Sequence, residues 1–237
     1  MLPWLKEIVK VRAPRLAMAY RHFQSYWTGR RWVGKGMDAF REIHDRNVWN
    51  EHESKSGVGS SLRATEAIRA ELPSLLDRLG VKSILDGPCG DFYWMAKTDL
   101  GNRSYTGIDV VPALIDELSR KYQADNRHFI CLDLSKADLP HADLILCRDC
   151  LVHFSFSDIK RTLKNFRRCG ARLILTTTFP RHPFNVDCPT GHWRAINLEL
   201  PPFKFPPPME ILNDNVEKLG VFTDKSLGLW RLDTLPL

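Results

Sequence analysis

Apolar residues that recur at three- and four-residue steps predict several helices along the chain. The longest pattern runs over about 60–79, where Gly80 marks the end and Pro73 predicts a kink or a break. Similar spacing extends over 16–27, near the N-terminus. Shorter helices are predicted near 91–97, 112–124 and 156–169.

Short apolar runs alternate with these predicted helices and are typical of buried strands. The strand candidates are 82–86, 104–109, 128–132, 142–148, 172–178 and 225–232. Strands that alternate with helices favour a parallel sheet with helices on both of its faces. The sequence therefore predicts an α/β fold built on a doubly wound, mainly parallel sheet.

The chain is expected to divide into an arm and a main domain. Residues 1–48 are rich in basic and aromatic side chains and are predicted to form a helical N-terminal extension. The main domain is expected to span 49–237, which is long enough to bury a sizeable core. Within it, 180–208 is rich in proline, aromatic and polar residues. Connections of this length in compact domains are usually lids or binding loops, so we expect this one to be a substrate loop.

Basic charge is concentrated in the first 36 residues. They contain eight Lys or Arg and one acid, whereas the whole chain carries a net charge of +6. The rest of the chain is therefore close to neutral, which argues against a nucleic-acid partner. With its interleaved aromatic residues, segment 1–36 could contact an anionic membrane surface, or it could be a helical cap with a solvated basic face.

The sequence favours a cytoplasmic protein, with peripheral membrane contact through the arm as an option. No apolar run is long enough to span a bilayer, and the N-terminus lacks the pattern of a cleavable leader. The six cysteines have no framework spacing, so we expect reduced thiols. The single C-x-x-C of Cys147 and Cys150 is expected to serve packing, and no metal site is predicted.

Three predicted strands end in an acid, at Asp86, Asp109 and Asp133. Ligands of open α/β sheets bind beyond the carboxyl ends of the strands, so these acids should face one cleft. After the first of them, Gly87 and Gly90 form a turn without the full G-x-G-x-x-G pattern of a dinucleotide site. The acid that follows Gly90 would repel a pyrophosphate. The ligand is therefore expected to present a cation or hydroxyls to this turn.

The second and third acids fit the parts of a nucleoside. Asp109 can accept hydrogen bonds from two vicinal ribose hydroxyls, and Asp133, which precedes Leu134, can accept one from an exocyclic amine such as that of adenine. Each acid also has a structural interpretation, Asp109 as the cap of the next helix and Asp133 as a turn former. Adenine, ribose and a positively charged amino-acid tail describe S-adenosylmethionine (SAM), which we predict as the cofactor.

With these motifs, the chain resembles a class I SAM-dependent methyltransferase. "ILDGPCGDF" is similar to the glycine-rich first motif, "YTGIDVV" to the acidic second motif, and "CLDLSKADLPHADLILCRDCLVHF" to the third and fourth. The resemblance implies a Rossmann-like fold. It also implies cofactor contacts at Asp86, Gly87, Cys89, Gly90 and Arg148.

The first motif also resembles a more specific pattern, D-G/A-P-C-G-D-F, of a bacterial subgroup of polysaccharide-associated methyltransferases. Phe92 stands where the common motif has a small residue, and it is expected to pack beneath the cofactor or in the core. Upstream, Ser56 and Gly57 lie in a glycine-bearing stretch before the first long helix. This stretch is either a linker or a loop that folds over the methionine end of the cofactor.

A hydroxyl acceptor generally needs a base to remove its proton. His153 is the candidate base because it follows the fourth predicted strand, and Asp149 is close enough in sequence to orient or polarise it. His192, in the long loop, is the reserve candidate. Other polar and aromatic residues of this loop either bind a sugar or tie the loop down: His182, Asn185, Asp187, Trp193, Arg194 and Asn197.

The sequence therefore predicts a methyltransferase that O-methylates a sugar hydroxyl of a glycan or glycan precursor. A nucleic-acid or small-molecule methyltransferase is an alternative within the same class. A nicotinamide-dependent oxidoreductase would share the sheet, but the glycine pattern and the acid after Gly90 argue against it. A non-catalytic SAM-binding protein would keep the turn and lack an acceptor site.

Overall fold

The computed structural model describes residues 32–49, 52–214 and 223–237. Most of the predicted arm, including the helical pattern over 16–27, lies outside these residues. The described helices are α1 (Asp38–Asp45), α2 (Glu66–Arg78), α3 (Pro112–Tyr122) and α4 (Phe156–Arg168). The strands are β1 (Ser83–Asp86), β2 (Ser104–Asp109), β3 (Arg127–Cys131), β4 (Leu144–Cys147), β5 (Leu173–Thr178), β6 (Glu210–Asn213) and β7 (Ser226–Arg231).

The seven strands form one sheet in the order β3-β2-β1-β4-β5-β7-β6. β1 to β5 are parallel, and β7 runs antiparallel to both of its neighbours, β5 and β6. The predicted mainly parallel, doubly wound sheet is thereby confirmed. Sequence analysis missed β6, because this edge strand has four residues, of which only Leu212 is buried.

Successive strand residues pack on opposite faces of the sheet. Ile84 and Leu144 pack with apolar residues of α2 and α3, whereas Leu85 and Ile145 pack with α4 and with the segment that follows β5. Parallel strands buried on both sides need such continuous apolar runs. This packing fixes the carboxyl ends of β1, β2 and β4 side by side.

The helix predicted over 91–97 was wrong, and so was the break that was one of the two alternatives at Pro73. The chain after β1 does not enter a helix over 91–97; it makes only a 3₁₀ turn at Met95–Lys97, because Phe92 has a left-handed backbone with φ of 57°. The ring of Phe92 lies in the core, 5.1 Å from the Tyr105 ring and 5.2 Å from the Phe129 ring. Pro73 lies inside α2 without ending it, and the helix is held on the sheet by its buried leucines.

The end of the predicted arm packs against the long loop after β5. Trp32, Ala39 and Ile43 form a small apolar cluster. At Gly191, whose φ is 100°, a Cβ atom would lie 2.9 Å from the Cβ atoms of Ala39 and Trp32. The glycine thus allows α1 to approach the loop closely. None of the helices in the described ranges is long and apolar enough to cross a bilayer.

Candidate active site

A cleft lies at the carboxyl ends of β1, β2 and β4. Of the sequence-predicted site residues, the following line it: Ser56, Asp86, Cys89, Gly90, Asp109, Asp133, Leu134, Arg148, Asp149 and His153. Gly57, Gly87 and His192 are not among its lining residues. The predicted strand-end acids are thus brought to one site, which is where an open α/β sheet binds ligands.

The turn after β1 is locked to the loop that precedes α2. The backbone N–H of Asp91 donates to Ser56 Oγ at 2.8 Å, and the Asp91 carboxylate accepts from Ser54 Oγ and from the N–H of Lys55, both at 2.8 Å. A Cβ atom on Gly90 would collide with Ser56 Oγ, so this position requires glycine. Asp91 therefore holds the Ser56 loop against the cleft.

Gly57 and Gly87 have structural roles. Gly57 has a φ of 92° and lies against Trp49. At Gly87, a Cβ atom would lie 2.7 Å from Leu134 Cδ2, so the absent side chain leaves room for this cleft-lining leucine. Both glycines therefore lie against residues that line the cleft.

Asp86 is a buried acid at the end of β1. Tyr105 donates its hydroxyl to Asp86 Oδ2 at 2.6 Å. Burial raises the pKa of Asp86 to about 7, although the Tyr105 hydrogen bond and the Arg148 charge act to lower it. At neutral pH this carboxyl group is near the midpoint of its titration, and a cation beside it would favour the charged form.

Asp109 and Asp133 both combine a structural contact with a place on the cleft surface. Asp109 accepts from the N–H of Gly90 at 3.2 Å and from that of Val111 at 3.1 Å, and burial raises its pKa. Asp133 accepts from Ser135 N–H and Oγ, as its turn interpretation predicts, and pairs with Lys136 at 3.3 Å. Each carboxylate oxygen has more than one acceptor direction, so these contacts leave capacity for a ligand.

Arg148, which follows β4, is the centre of a buried charge network. Its guanidinium donates to both carboxylate oxygens of Asp214, at 3.0 and 2.8 Å, and to the Gly59 carbonyl at 2.7 Å. It lies over the Trp94 ring at 5.4 Å. Burial alone would lower the pKa of Arg148, but the charges of Asp214 and Asp149 raise it above the ordinary value.

Asp149 belongs to this network and does not hydrogen-bond His153 in the described structure, although its charge acts to raise the pKa of His153. Its carboxylate accepts from Lys225 Nζ at 2.6 Å and lies 3.4 Å from Arg148 Nη1, and its backbone N–H donates to Thr177 Oγ1. Burial would raise its pKa, but Lys225 and Arg148 hold that pKa well below the usual range. The backbone is left-handed here, with φ of 52°, which turns the carboxylate towards these cations.

His153 lies on the wall of the cleft, between aromatic rings. Its centroid is 5.7 Å from that of Trp49 and 6.3 Å from that of Phe40. Its Nδ1 is 2.9 Å from the carbonyl oxygen of His192. A carbonyl only accepts, so Nδ1 carries the proton and Nε2 is the basic nitrogen of the neutral ring. Burial lowers the pKa of His153 to about 4.

The predicted substrate loop is tied down by its own polar residues. The Asn185 side chain donates to the Asn197 carbonyl and accepts from the Asn197 N–H, and the Asn197 side chain donates to the Pro180 carbonyl. The buried Arg194 donates to the carbonyls of Leu151 and Phe154. No side chain from 180–208 is among those lining the cleft. Asn185, Asn197 and Arg194 therefore hold the loop in place, and the loop contacts His153 through the His192 carbonyl.

Sequence analysis missed the wall that α1 contributes. Met37, Phe40, His44 and Trp49 line the cleft, and the first three follow helical spacing on one face of α1. The spacing of 37, 40 and 44 was visible in the sequence, but nothing there indicated that this face lies over the sheet. Asp214 and Lys225, which complete the charge network, carried no sequence signal.

Asp86 generates a test of the site's electrostatics. Because its folded pKa, about 7, exceeds the ordinary 3.8, its contribution to stability is present at low pH and is lost as pH rises to 7. Replacing Asp86→Asn should remove this pH dependence, worth about 1.4 kcal/mol per pH unit between the two values. Urea denaturation at pH 5 and pH 8 measures it, with exposed Asp138→Asn as control. A difference between D86N and wild type that stays constant over this range would contradict the raised pKa.

Comparisons with known proteins agree with this geometry. Residues 87–171 match a family model described as a methyltransferase domain. That segment runs from the β1 turn to just before β5, so it includes Asp109, Asp133, Arg148 and His153. A search of curated protein sequences finds no match.

Solved structures share the fold at low sequence identity. The Burkholderia thailandensis 1,6-didemethyltoxoflavin-N1-methyltransferase, with bound 1,6-didemethyltoxoflavin and S-adenosylhomocysteine, is 17% identical, with 82% of this chain and 87% of that chain covered and a TM-score of 0.55. The magnesium protoporphyrin IX methyltransferase of Synechocystis PCC 6803, with bound SAH, is 14% identical, with 61% and 71% covered and a TM-score of 0.46. Residues 87–171 thus match a methyltransferase domain, and the chain has the fold of class I SAM-dependent methyltransferases.

Proposed function

We propose that this methyltransferase uses SAM to methylate a sugar hydroxyl of a glycan or glycan precursor, with His153 as the general base. The observation that carries the proposal is the fixed imidazole of His153 on the cleft wall, with Nδ1 held by the His192 carbonyl and Nε2 left as the basic nitrogen. A sugar hydroxyl is a poor nucleophile with its proton in place, so a positioned base matches the chemistry.

The strand-end acids match the parts of SAM. Burial raises the pKa of Asp86 even though the Arg148 charge acts to lower it, so the ammonium of the cofactor beside it would further favour the carboxylate form. Asp109 would hold the ribose hydroxyls and Asp133 the adenine amine, in line with their places on the cleft. Ser56 and Gly90 would lie at the methionine end. When bound, SAM supplies an electrophilic methyl carbon on a sulfonium.

His153 would accept the proton that the hydroxyl loses. With a pKa of about 4, the ring is neutral at pH 7 and can accept a proton, although the lowered pKa also makes it a weaker base than an ordinary histidine. The growing imidazolium charge would be stabilised by the carbonyl of His192 and by the negative charge of Asp149, which acts to raise the pKa of His153. Asp149 thus supports the base electrostatically, without a hydrogen bond to it.

The acceptor class is argued from the rings around the base. Phe40, Trp49 and Phe154 line the cleft near His153 and would pack against the apolar face of a sugar ring. Trp49 is 40% exposed, so a large part of its ring is accessible to a ligand. The polar side chains of 180–208 take no part in this proposal, because none of them is among the residues that line the cleft.

Cofactor identity is tested by ligand binding. S-adenosylhomocysteine should raise the melting temperature of the protein, whereas NAD should not. Asp109→Asn, which keeps one acceptor oxygen for the turn, should weaken S-adenosylhomocysteine about 10- to 100-fold, because the ribose loses a charged acceptor. Exposed Asp116→Asn is the control. Equal affinity in D109N and wild type would rule out the ribose assignment.

The base is tested by turnover. Labelled SAM and a panel of nucleotide-activated sugars would identify an acceptor. His153→Ala or His153→Asn should then lower kcat by about 10²-fold or more, with S-adenosylhomocysteine affinity unchanged. His128→Ala, on the exposed face of β3, is the control. Turnover close to wild type in both His153 variants would make this residue structural, and labelling only of amines would contradict O-methylation.

Membrane contact through 1–36 is part of the same proposal. The basic and aromatic residues of this segment would bring the enzyme to an anionic surface, where lipid-linked glycan precursors are assembled. The full chain should sediment with anionic vesicles at low salt and be released at high salt. Absence of vesicle binding at low salt would leave the arm as a cap on the domain.

A further inference from the structure

The inner face of α1 carries a buried polar atom that the charge network and the base do not use. Nε2 of His44 is inaccessible to solvent and has no hydrogen-bond partner among the described residues. On the same ring, Nδ1 lies 3.4 Å from Asp45 Oδ1. A buried polar atom without a partner destabilises the fold, and His44 is among the residues that line the cleft. This combination marks the atom as a binding group for a ligand of the cleft.

Contacts of α1 place His44 near the end of β2. Arg41 Nε donates to the carbonyl of Val110 at 3.1 Å, and Val110 directly follows Asp109. Arg41 and His44 are three residues apart and so lie on the same side of the helix. His44 is also close enough to Asp109 for its charge to act on the pKa of that carboxyl group.

The other end of the inner face of α1 lies against the part of the cleft wall formed by His153 and Phe154. The Phe40 ring lies 5.7 Å from the Phe154 ring and 6.3 Å from the His153 ring. α1 therefore spans the cleft from the strand end that carries Asp109 to the strand end that carries His153. His44 lies one helical turn beyond Phe40, on the side of α1 where Arg41 hydrogen-bonds Val110.

We propose that His44 is a cofactor-binding residue whose Nε2 hydrogen-bonds a ribose hydroxyl of SAM, together with Asp109. This inference rests on the proposed function. A hydroxyl both donates and accepts, so it satisfies Nε2 in either tautomer of the ring. His44 thus adds a determinant of ribose recognition from outside the sheet, and it links the N-terminal segment to cofactor binding.

The experiment measures the affinity of S-adenosylhomocysteine and of its 2′-deoxy and 3′-deoxy analogues by calorimetry. The proteins are wild type, His44→Ala, His44→Gln and the control Arg46→Ala, which alters an exposed residue just beyond α1. His44→Ala should weaken S-adenosylhomocysteine about 3- to 10-fold, as for the loss of one hydrogen bond. It should weaken one of the two deoxy analogues much less, because that analogue lacks the hydroxyl concerned. His44→Gln should restore part of the affinity, and R46A should match wild type.

Each other result has a defined meaning. If S-adenosylhomocysteine does not bind wild type, the proposed function fails before His44 is tested. If it binds wild type and H44A equally, the inference is wrong. If H44A weakens all three ligands equally, His44 acts through the packing of α1, and the ribose assignment is also overturned. Melting temperatures without ligand show whether H44A and H44Q remain folded.

Discussion

The geometry of the cleft depends on the buried guanidinium of Arg148. It joins the end of β4 to Asp214 after β6, to the Gly59 carbonyl before α2 and to the face of Trp94 after β1. A charge at 4% side-chain exposure is tolerated only when its partners satisfy it, and removing one partner of such a pair typically costs about 3–5 kcal/mol. The contacts of Arg148 therefore hold together, at the carboxyl edge of the sheet, four segments that are distant in sequence.

The same network sets the charge of the ligand site. Asp214 and Asp149 neutralise Arg148, and Lys225 lies between the two acids, 2.6 Å from Asp149 and 3.1 Å from Asp214. Asp86, also in the cleft, forms no ion pair among the described residues, and burial raises its pKa to about 7. Burial also raises the pKa of Asp109 and keeps His153 neutral at pH 7, so the two sides of the cleft differ in charge.

The sequence was most informative where a local pattern decides the structure. Buried strands such as β1 and β4 need continuous apolar runs, so the strands could be predicted from the sequence pattern. An acid at the end of a parallel strand lies at the carboxyl edge of the sheet, so the location of the strand-end acids could be predicted as well. The helix expected after β1 did not form, because a left-handed Phe92 packs into an aromatic cluster that lies far away in sequence. The Arg148–Asp214 pair joins residues 66 positions apart, and no periodicity encodes it. The His192 carbonyl that orients His153 is a backbone atom, so residue identity carried no signal for it.

The central claim is that one cleft holds SAM at the strand-end acids with its reactive end towards His153. The most direct measurement is a crystal structure of the protein with S-adenosylhomocysteine. The account predicts the ribose at Asp109, the amino-acid tail beside Asp86 and Ser56, and the sulfur atom on the side of the cleft that faces His153. A ligand bound outside this cleft, or with its sulfur turned away from His153 towards Asp133, would contradict it.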